Sequence, residues 1–334
     1  MKHFKFTKQT ITIAFSILCL ILLSLLISLI NNKPVVYSDT DFYFDTVISI
    51  SIYDKSKTEA KDLIDNCFLQ CQRYENLFSR TLPNSEIYLV NHSNNLPTNV
   101  DREVIDLVQK AMQYSDASNE TVTPLIGNLS SLWDFDSPNF SFPTNEEISY
   151  ALSHINSSNL QINENNSTIT LLDPDCSLDL GFIAKGYISD KLKEYLIANG
   201  VTSAIINLGG NVLCIGQKPD NTCFNIGIKD PKNPTSNILL SIPVNDKSVI
   251  SSGDYERNII IDGQLYHHIL STKNGYPVSS GLSQVTIISD SATEGDALST
   301  ICFILGFDKA NVFLSKNYPN VKAIFVDNNG NIIE

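Results

Sequence analysis

The stretch Asp179-Leu-Gly-Phe-Ile-Ala-Lys-Gly186 places a carboxylate, two glycines and a lysine within eight residues. The surrounding pattern predicts a short strand over Leu178–Leu180 and a helix over Ile183–Asn199. The glycines would let the backbone approach a ligand, and the helix N-terminus offers free N–H groups to phosphate. The lysine adds a positive charge. An ordinary strand–turn–helix with a surface lysine is the alternative interpretation.

A second segment, Asp296-Ala-Leu-Ser-Thr300, falls within a predicted helix over Thr293–Leu305. Its carboxylate and its threonine hydroxyl are four residues apart, so they share one helix face. Magnesium prefers hard oxygen ligands of this kind. The alternative is an acid favoured by the helix dipole and a threonine bonded to its own helix backbone. Taken together, the two segments suggest chemistry on a nucleotide diphosphate.

Three further segments carry polar groups or glycines suited to such a site: Ser252-Gly253, Gly209-Gly210 and His267-His268. Adjacent residues on a strand point to opposite faces, so only one histidine of the pair would line a given cleft. A histidine beside a phosphoanhydride would accept a hydroxyl proton. The alternatives are a hairpin with one buried and one exposed histidine, and a tight bend at the glycine pair.

The remaining pattern mixes helix and strand blocks without a strict βαβ repeat, which favours an α+β fold in a single large domain over residues 41–334. A capping box at Thr144-Asn-Glu-Glu147 opens a helix, and Asp262-Gly263 is typical of a hairpin turn. We also predict a strand over Asp41–Tyr53 and helices over Thr58–Phe78 (capped by Ser56), Asp101–Ser118 and Thr121–Leu132.

The N-terminal segment predicts a membrane anchor. Ile11–Ile30 is a run of 20 uncharged residues, long enough to cross a bilayer as a helix. Lys2, Lys5 and Lys8 precede it, so residues 1–10 are expected in the cytoplasm and the catalytic domain outside the cell membrane. Residues 31–40 would form a polar linker. A cleaved signal peptide is the competing interpretation.

The net charge of the chain argues against partners that bind basic surfaces. Lys2, Lys5 and Lys8 are three of the 23 basic residues, which leaves 20 against 36 acidic residues after the apolar run, a net charge of −16. Nucleic acids and anionic membrane surfaces bind basic patches, so neither is expected as a partner. A polyanionic ligand would need a local cation, and a divalent metal ion fits this requirement.

In order along the chain, these segments and several others resemble the ApbE-type flavin transferases (FAD:protein FMN transferases) over roughly residues 41–334. The motifs that carry the resemblance are Phe44-Asp-Thr-Val-Ile-Ser-Ile50, Phe78-Ser-Arg80 with Ser85-Glu-Ile87, Pro124-Leu125 with Leu132-Trp-Asp-Phe135, Asp179 to Tyr187, Asn207-Leu-Gly-Gly-Asn211, Ser252-Gly-Asp-Tyr-Glu-Arg257, His267-His-Ile269, Gly275-Tyr-Pro277 and Asp296 to Thr300.

The resemblance implies an α+β architecture related to the T-fold and a magnesium-dependent cleavage of FAD. FMN would pass to a threonine or serine hydroxyl of an acceptor flavoprotein, and AMP would leave. It implies that His268 assists catalysis and that the metal is held by the Phe182 main-chain oxygen, Asp296 and Thr300. The flavin-nucleotide contacts that it implies are Phe44, Asn119, Asp179, Lys185, Gly209, Gly210, Ser252, Gly253 and Ile269.

The chain departs from the family pattern at three places. Phe-Asp-Thr stands in place of Met-Gly-Thr at the first motif, Asn119 replaces an acid, and Ser271-Thr272 replaces Asp-Pro after the histidines. Because the metal pair and Lys185 are intact, we expect a working enzyme. The alternatives are an FAD pyrophosphatase that gives FMN and AMP, and a non-catalytic extracellular flavin-binding protein.

Overall fold

The computed structural model describes residues 15–22, 36–135, 137, 140–235 and 237–333. Residues 15–22 are helical, whereas the rest of the predicted 11–30 anchor, the predicted cytoplasmic residues 1–10 and residues 31–35 of the linker lie outside the described residues. Within the described ranges, no helix is both long enough and apolar enough to cross a membrane. The anchor therefore stays a prediction.

An antiparallel sheet of eight strands forms the centre of the domain, in the order β1-β2-β6-β7-β10-β13-β14-β15. Its inward positions are apolar and almost fully buried, as the period-2 pattern of the strands predicts. The strands are β1 (Tyr37–Tyr43), β2 (Thr46–Ile52), β6 (Ser203–Leu208), β7 (Asn211–Gly216), β10 (Ser248–Gly253), β13 (Leu282–Ser289), β14 (Lys322–Asp327) and β15 (Ile332–Ile333).

The single strand predicted over Asp41–Tyr53 is in fact a hairpin. β1 and β2 pair in register, and Phe44 and Asp45, both at φ +56°, reverse the chain between them. Two positive φ angles are what a two-residue hairpin turn requires, but the usual asparagine or glycine signal is missing here. The alternation of apolar and polar residues runs through the turn and hides it. β1 also begins at Tyr37, inside the segment expected to be a linker.

The described residues between 36 and 333 form eight α-helices, and several of these helices begin at capping residues. Ser56 and Thr144 each form a capping box, and the Asp101 carboxylate caps the third helix, so these helix predictions are confirmed. The helices are α1 (Lys57–Phe78), α2 (Glu86–Asn91), α3 (Arg102–Ala117), α4 (Gly127–Leu132), α5 (Asn145–Ser153), α6 (Ala184–Ala198), α7 (Ala292–Leu305) and α8 (Phe307–Asn317). The helices predicted over Ile183–Asn199 and Thr293–Leu305 correspond to α6 and α7.

Two other predicted elements are wrong, and both of these errors lie beside the site. The helix expected over Thr121–Leu132 starts only at Gly127, because the Pro124 carbonyl accepts the Asp179 N–H (2.7 Å) and Ile126 bridges to Ser177. The strand expected over Leu178–Leu180 is not formed. The Asn91 side chain instead bonds both backbone groups of Leu178, at 2.9 and 2.7 Å, in place of a neighbouring strand.

Smaller sheets lie around the central one. The hairpin of β11 and β12 turns at Asp262-Gly263, both with positive φ, so this turn prediction is confirmed. The strands outside the central sheet are β3 (Thr98–Asn99), β4 (Leu160–Asn163), β5 (Thr168–Leu171), β8 (Phe224–Lys229), β9 (Ile238–Val244), β11 (Asn258–Ile261) and β12 (Gln264–His267).

Candidate active site

A cavity of about 130 Å³ brings together segments that are far apart in the sequence. It lies where the non-helical residues 121–126, the start of the 179–186 stretch, the segment after the histidine pair and α7 meet. Five residues of the predicted site line it: Asp179, Phe182, His268, Ile269 and Thr300. Thr121, Val122, Thr123 and Thr272 also line it, and sequence reasoning had not assigned them to the site.

Asp296 is buried at the contact between α6 and α7. Its Oδ2 accepts the Gly186 N–H and its Oδ1 accepts the Asn211 side-chain amide, each at 2.8 Å. Burial raises the pKa of Asp296 to about 6, and the nearby Lys185 charge acts in the opposite direction. A buried carboxylate with no full ion pair is a favourable position for a cation.

Gly186 has a different role from the one expected for it. A Cβ atom added at this position would overlap the Ala292 carbonyl oxygen and lie 2.7 Å from the Asp296 Cβ. The glycine therefore lets α6 and α7 approach each other, and it does not serve a ligand directly. The helix contact in turn places the Gly186 N–H on Asp296.

The Phe182 carbonyl and Thr300 supply further hard oxygen atoms. Phe182 precedes α6, and the Gly186 N–H in the first turn of that helix, which has no partner within the helix, donates to Asp296. Among the described residues, no backbone N–H donates to that carbonyl, which leaves it open to a ligand. The Thr300 hydroxyl lies 3.2 Å from Ser252 Oγ, which is also 2.7 Å from Ser299 Oγ. Carboxylate, carbonyl and hydroxyl oxygen atoms fit a magnesium ion.

The two histidines differ in their surroundings, although only His267 lies on a strand and His268 follows its end. His267 is buried, and its Nε2 lies 2.9 Å from the Val278 carbonyl oxygen, to which it donates. His268 is half-buried and lines the cavity, and its Nδ1 has no hydrogen-bond partner within the described structure. Burial, with the charges of His267, Lys185 and Arg257, lowers the pKa of His268 below its usual 6.5. The ring is therefore neutral near pH 7, and the lowered pKa makes it a weaker base than an ordinary imidazole when no ligand is bound.

The first motif and the glycine pair are brought together by the β1–β2 turn. The Phe44 N–H donates to Glu75 (2.7 Å), and a Cβ atom at Gly209 would lie 2.5 Å from Thr46 Oγ1. Gly209 therefore accommodates the threonine side chain. Gly210, at φ +103°, faces open space and donates its N–H to Asn207 (2.8 Å). Neither Phe44 nor the glycine pair lines the 130 Å³ cavity.

The departures from the family pattern have structural partners of their own. The Asp45 carboxylate lies 3.8 Å from the Arg257 guanidinium and so joins the first motif to the 252–257 segment. Thr272 donates to the Glu120 carbonyl (2.8 Å), which joins the two other departing segments at the cavity rim. Asn119, at φ +51°, is exposed in the turn and does not line the cavity, so its flavin contact stays a prediction.

Gly253 also serves packing. A Cβ atom there would meet the Tyr255 ring, with Cδ1 at 2.8 Å, so the glycine makes room for an aromatic side chain. Its neighbour Ser252 belongs to the hydroxyl cluster with Thr300. Of this predicted pair, only Ser252 contacts a predicted metal-binding residue.

Two other features lie apart from this cavity. A cleft of about 840 Å³ is larger, but it contains no predicted site residue, and its Asp190 carboxylate is occupied by the backbone N–H groups of Ala292 and Thr293 at the start of α7. The side chains of His154, Asp173 and Asp175 converge elsewhere and do not line the cavity. Asp179, Phe182, His268 and Thr300 therefore meet at the smaller cavity, whereas Asp296 and Lys185 do not line it.

Comparison with known proteins identifies the family of this chain. A sequence model of the ApbE family matches residues 44–325. The chain belongs to the ApbE family. This family member is 34% identical over 299 residues to a FAD:protein FMN transferase of Klebsiella pneumoniae (strain 342), covering 89% of this chain and 91% of the relative. A FAD:protein FMN transferase of Treponema pallidum (strain Nichols) is 29% identical over 305 residues, covering 87% and 84%.

Solved structures show the same architecture. The crystal structure of the ApbE protein of Thermotoga maritima superimposes with a TM-score of 0.82 at 31% identity and covers 90% of this chain and 97% of the other. The predicted family resemblance and the mixed α+β domain are therefore confirmed for this ApbE family member.

Proposed function

We propose that this protein transfers FMN from FAD to a threonine or serine hydroxyl of an acceptor flavoprotein and releases AMP. Two curated relatives that match most of the chain are named FAD:protein FMN transferases. The observation that carries the proposal is the buried Asp296 carboxylate, which accepts the Gly186 N–H in the first turn of α6, while no backbone N–H of the described residues donates to the Phe182 carbonyl just before that helix. This arrangement is expected of a metal-dependent phosphoryl site.

Magnesium would be held by the Phe182 carbonyl, the Asp296 carboxylate and the Thr300 hydroxyl. When bound, it would neutralise charge on the diphosphate bridge and stabilise the departing AMP phosphate. Lys185 adds a positive charge near Asp296. This charge lowers the pKa of Asp296, although burial, which raises it, has the larger effect. In a chain with a strongly negative net charge, this local cation offsets the repulsion of a polyanionic substrate.

His268 is placed to handle the proton of the acceptor hydroxyl. Its ring is neutral near pH 7 because burial lowers its pKa, and its buried Nδ1 has no hydrogen-bond partner among the residues that the structure describes. As the hydroxyl oxygen bonds to the FMN phosphorus, the bond from that phosphorus to the bridging oxygen of AMP breaks, and the hydroxyl proton passes to the imidazole. Positioning and electrostatics supply most of the acceleration in such transfers.

The N-terminal sequence supports an extracellular location for this reaction. The uncharged run Ile11–Ile30 and the lysines before it favour a single anchor in the cell membrane, with residues 41–334 on the extracellular side. Protease added to intact cells would then degrade the catalytic domain, and protection equal to that of a cytoplasmic marker would refute this placement.

The activity is tested with the full-length chain in detergent, FAD, magnesium and an acceptor domain that carries a threonine. We expect a covalently fluorescent acceptor band on a denaturing gel and one AMP for each FMN attached. An acceptor with Thr→Val at the attachment site and the His268→Gln enzyme serve as controls. AMP release at the same rate without acceptor would favour FAD hydrolysis, and FAD binding without any AMP would favour a flavin-binding protein.

A further inference from the structure

An ion pair connects the cavity to the loop after α1. Arg80 Nε lies 3.0 Å from Asp179 Oδ2, and Arg80 Nη1 donates to Ser131 Oγ at 2.9 Å. Ser131 is itself held in place, because its hydroxyl donates to the Gly127 carbonyl at 2.9 Å. The guanidinium therefore joins three separate segments: the loop after α1, helix α4 and the 179–186 stretch.

Asp179 is held from several directions before any ligand arrives. Its Oδ1 accepts the Gly181 N–H at 2.8 Å, its Oδ2 faces Arg80, and its own N–H donates to the Pro124 carbonyl at 2.7 Å. Each carboxylate oxygen can accept a further hydrogen bond. Because a carboxylate accepts hydrogen bonds and repels phosphate, Asp179 suits an N–H or O–H donor of the flavin nucleotide.

The pair is better protected from water than an ordinary surface pair. The Arg80 and Asp179 side chains are 30% and 19% exposed, whereas the Arg73 side chain, which pairs with Asp101 at 2.9 Å, is 44% exposed. Asp179 lines the cavity and Arg80 does not. Arg80 would therefore act on a ligand only through the carboxylate that it holds.

We propose that Arg80 is a positioning residue that orients the Asp179 carboxylate for a hydrogen-bond donor of FAD and so sets the affinity for FAD. This inference rests on the proposed function, because it takes FAD as the ligand. Arginine suits the role because its planar fork bonds Asp179 and Ser131 in two fixed directions, which a single lysine ammonium cannot reproduce.

We expect Arg80→Gln to raise the Kd for FAD and the KM for FAD on the order of tenfold, because a charge-assisted hydrogen bond fixes the orientation of Asp179. The kcat should change less than twofold or so, since an interaction made equally in the ground and transition states affects KM alone. Arg80→Lys keeps the positive charge but lacks the planar guanidinium, so its Kd and KM for FAD should lie between those of the wild type and those of Arg80→Gln.

The test is a double-mutant cycle on the full-length protein, with FAD binding followed by quenching of flavin fluorescence. The variants are Arg80→Gln, Asp179→Asn and the double variant, with Arg73→Gln as a matched control away from the cavity. If Arg80 acts through Asp179, the double variant should bind FAD no more weakly than Asp179→Asn. The control should bind FAD like the wild type.

Additive losses in the double variant, or an Arg80→Gln Kd equal to that of the wild type, would overturn the inference. If Arg80→Gln does not fold, the KM-to-kcat split of Arg80→Lys decides in its place: a fall in kcat with unchanged KM would refute the role. A wild-type protein that binds no FAD overturns the proposed function instead, so the two failures are distinguishable.

Discussion

Replacing Asp296 by asparagine should separate metal binding from folding. Burial raises the pKa of this carboxyl from an ordinary 3.8 to about 6, a difference that corresponds to roughly 3 kcal/mol of destabilisation near neutral pH in the absence of metal. Asparagine removes this cost. However, its amide can accept from only one of the two donors, Gly186 N–H or Asn211 Nδ2, and an unpaired buried donor costs about 1–3 kcal/mol.

The two effects nearly cancel. Without magnesium, the unfolding free energy of the Asp296→Asn variant should therefore differ from that of the wild type by no more than about 2 kcal/mol. With magnesium at 100 times its Kd, the wild type should gain about 2.7 kcal/mol and the variant nothing. The sign of the pH dependence follows from the raised pKa. In the metal-free wild type the contribution of the Asp296 carboxyl to stability is fully present below pH 3.8 and is lost as pH rises through about 6.

Urea unfolding at pH 5 and pH 7.5, with EDTA or with magnesium, measures all of these quantities. Asp254→Asn is a matched control, because burial also raises the pKa of Asp254 to about 6 while its carboxylate is not a proposed metal ligand. Asp254→Asn should change the pH dependence of the unfolding free energy in the same direction as Asp296→Asn. Magnesium should stabilise it as much as it stabilises the wild type. An equal magnesium shift in wild type and Asp296→Asn would refute the assignment of the metal to this carboxylate.

Three other changes test separate parts of the structure. Gly186→Ala should lower the unfolding free energy by about 1–3 kcal/mol or more in urea, because its Cβ overlaps the Ala292 carbonyl and forces α6 from α7; a stability equal to the wild type would contradict the close packing. His268→Gln should lower kcat by about 10²–10⁴ with FAD affinity changed little, measured by AMP release; a kcat near that of the wild type would exclude a proton-transfer role. Trp133→Phe removes the buried donor to the Gly275 carbonyl (2.8 Å) and should lower the unfolding free energy in urea by about 1–3 kcal/mol. An unfolding free energy equal to that of the wild type would contradict the cost of leaving this carbonyl unpaired.

Much of the local architecture could be predicted because its causes are local. The capping boxes at Ser56 and Thr144 join groups three residues apart, and the Asp262-Gly263 turn needs only two residues that tolerate positive φ. The errors arose where a distant partner decides the backbone. Thr121–Ile126 is not helical because Pro124 and Ile126 bond to the 177–179 segment, which no window of neighbouring residues reveals.

The candidate site could be predicted in part for the same reason. His268 and Thr300 were assigned from motifs and both line the cavity, whereas Arg80 carried no assigned role and Asn119 does not line the cavity. Arg80 and Asp179 meet only because the end of α1 passes beside the 179–186 stretch. A short-range pattern has no signal for such a meeting.

By itself, the sequence determined the class of fold, the charge of the protein, most helix ends and turns, and which residue types were available for chemistry on a nucleotide. These follow from hydrogen bonds and side-chain periods that span a few residues. Only the tertiary structure decided that Gly186 and Asp296, 110 residues apart, share a hydrogen bond, and that Asn211 completes it from 85 residues away. Contacts of this kind depend on how whole helices and strands pack, since the free energy that forms them comes from burying the core between those elements.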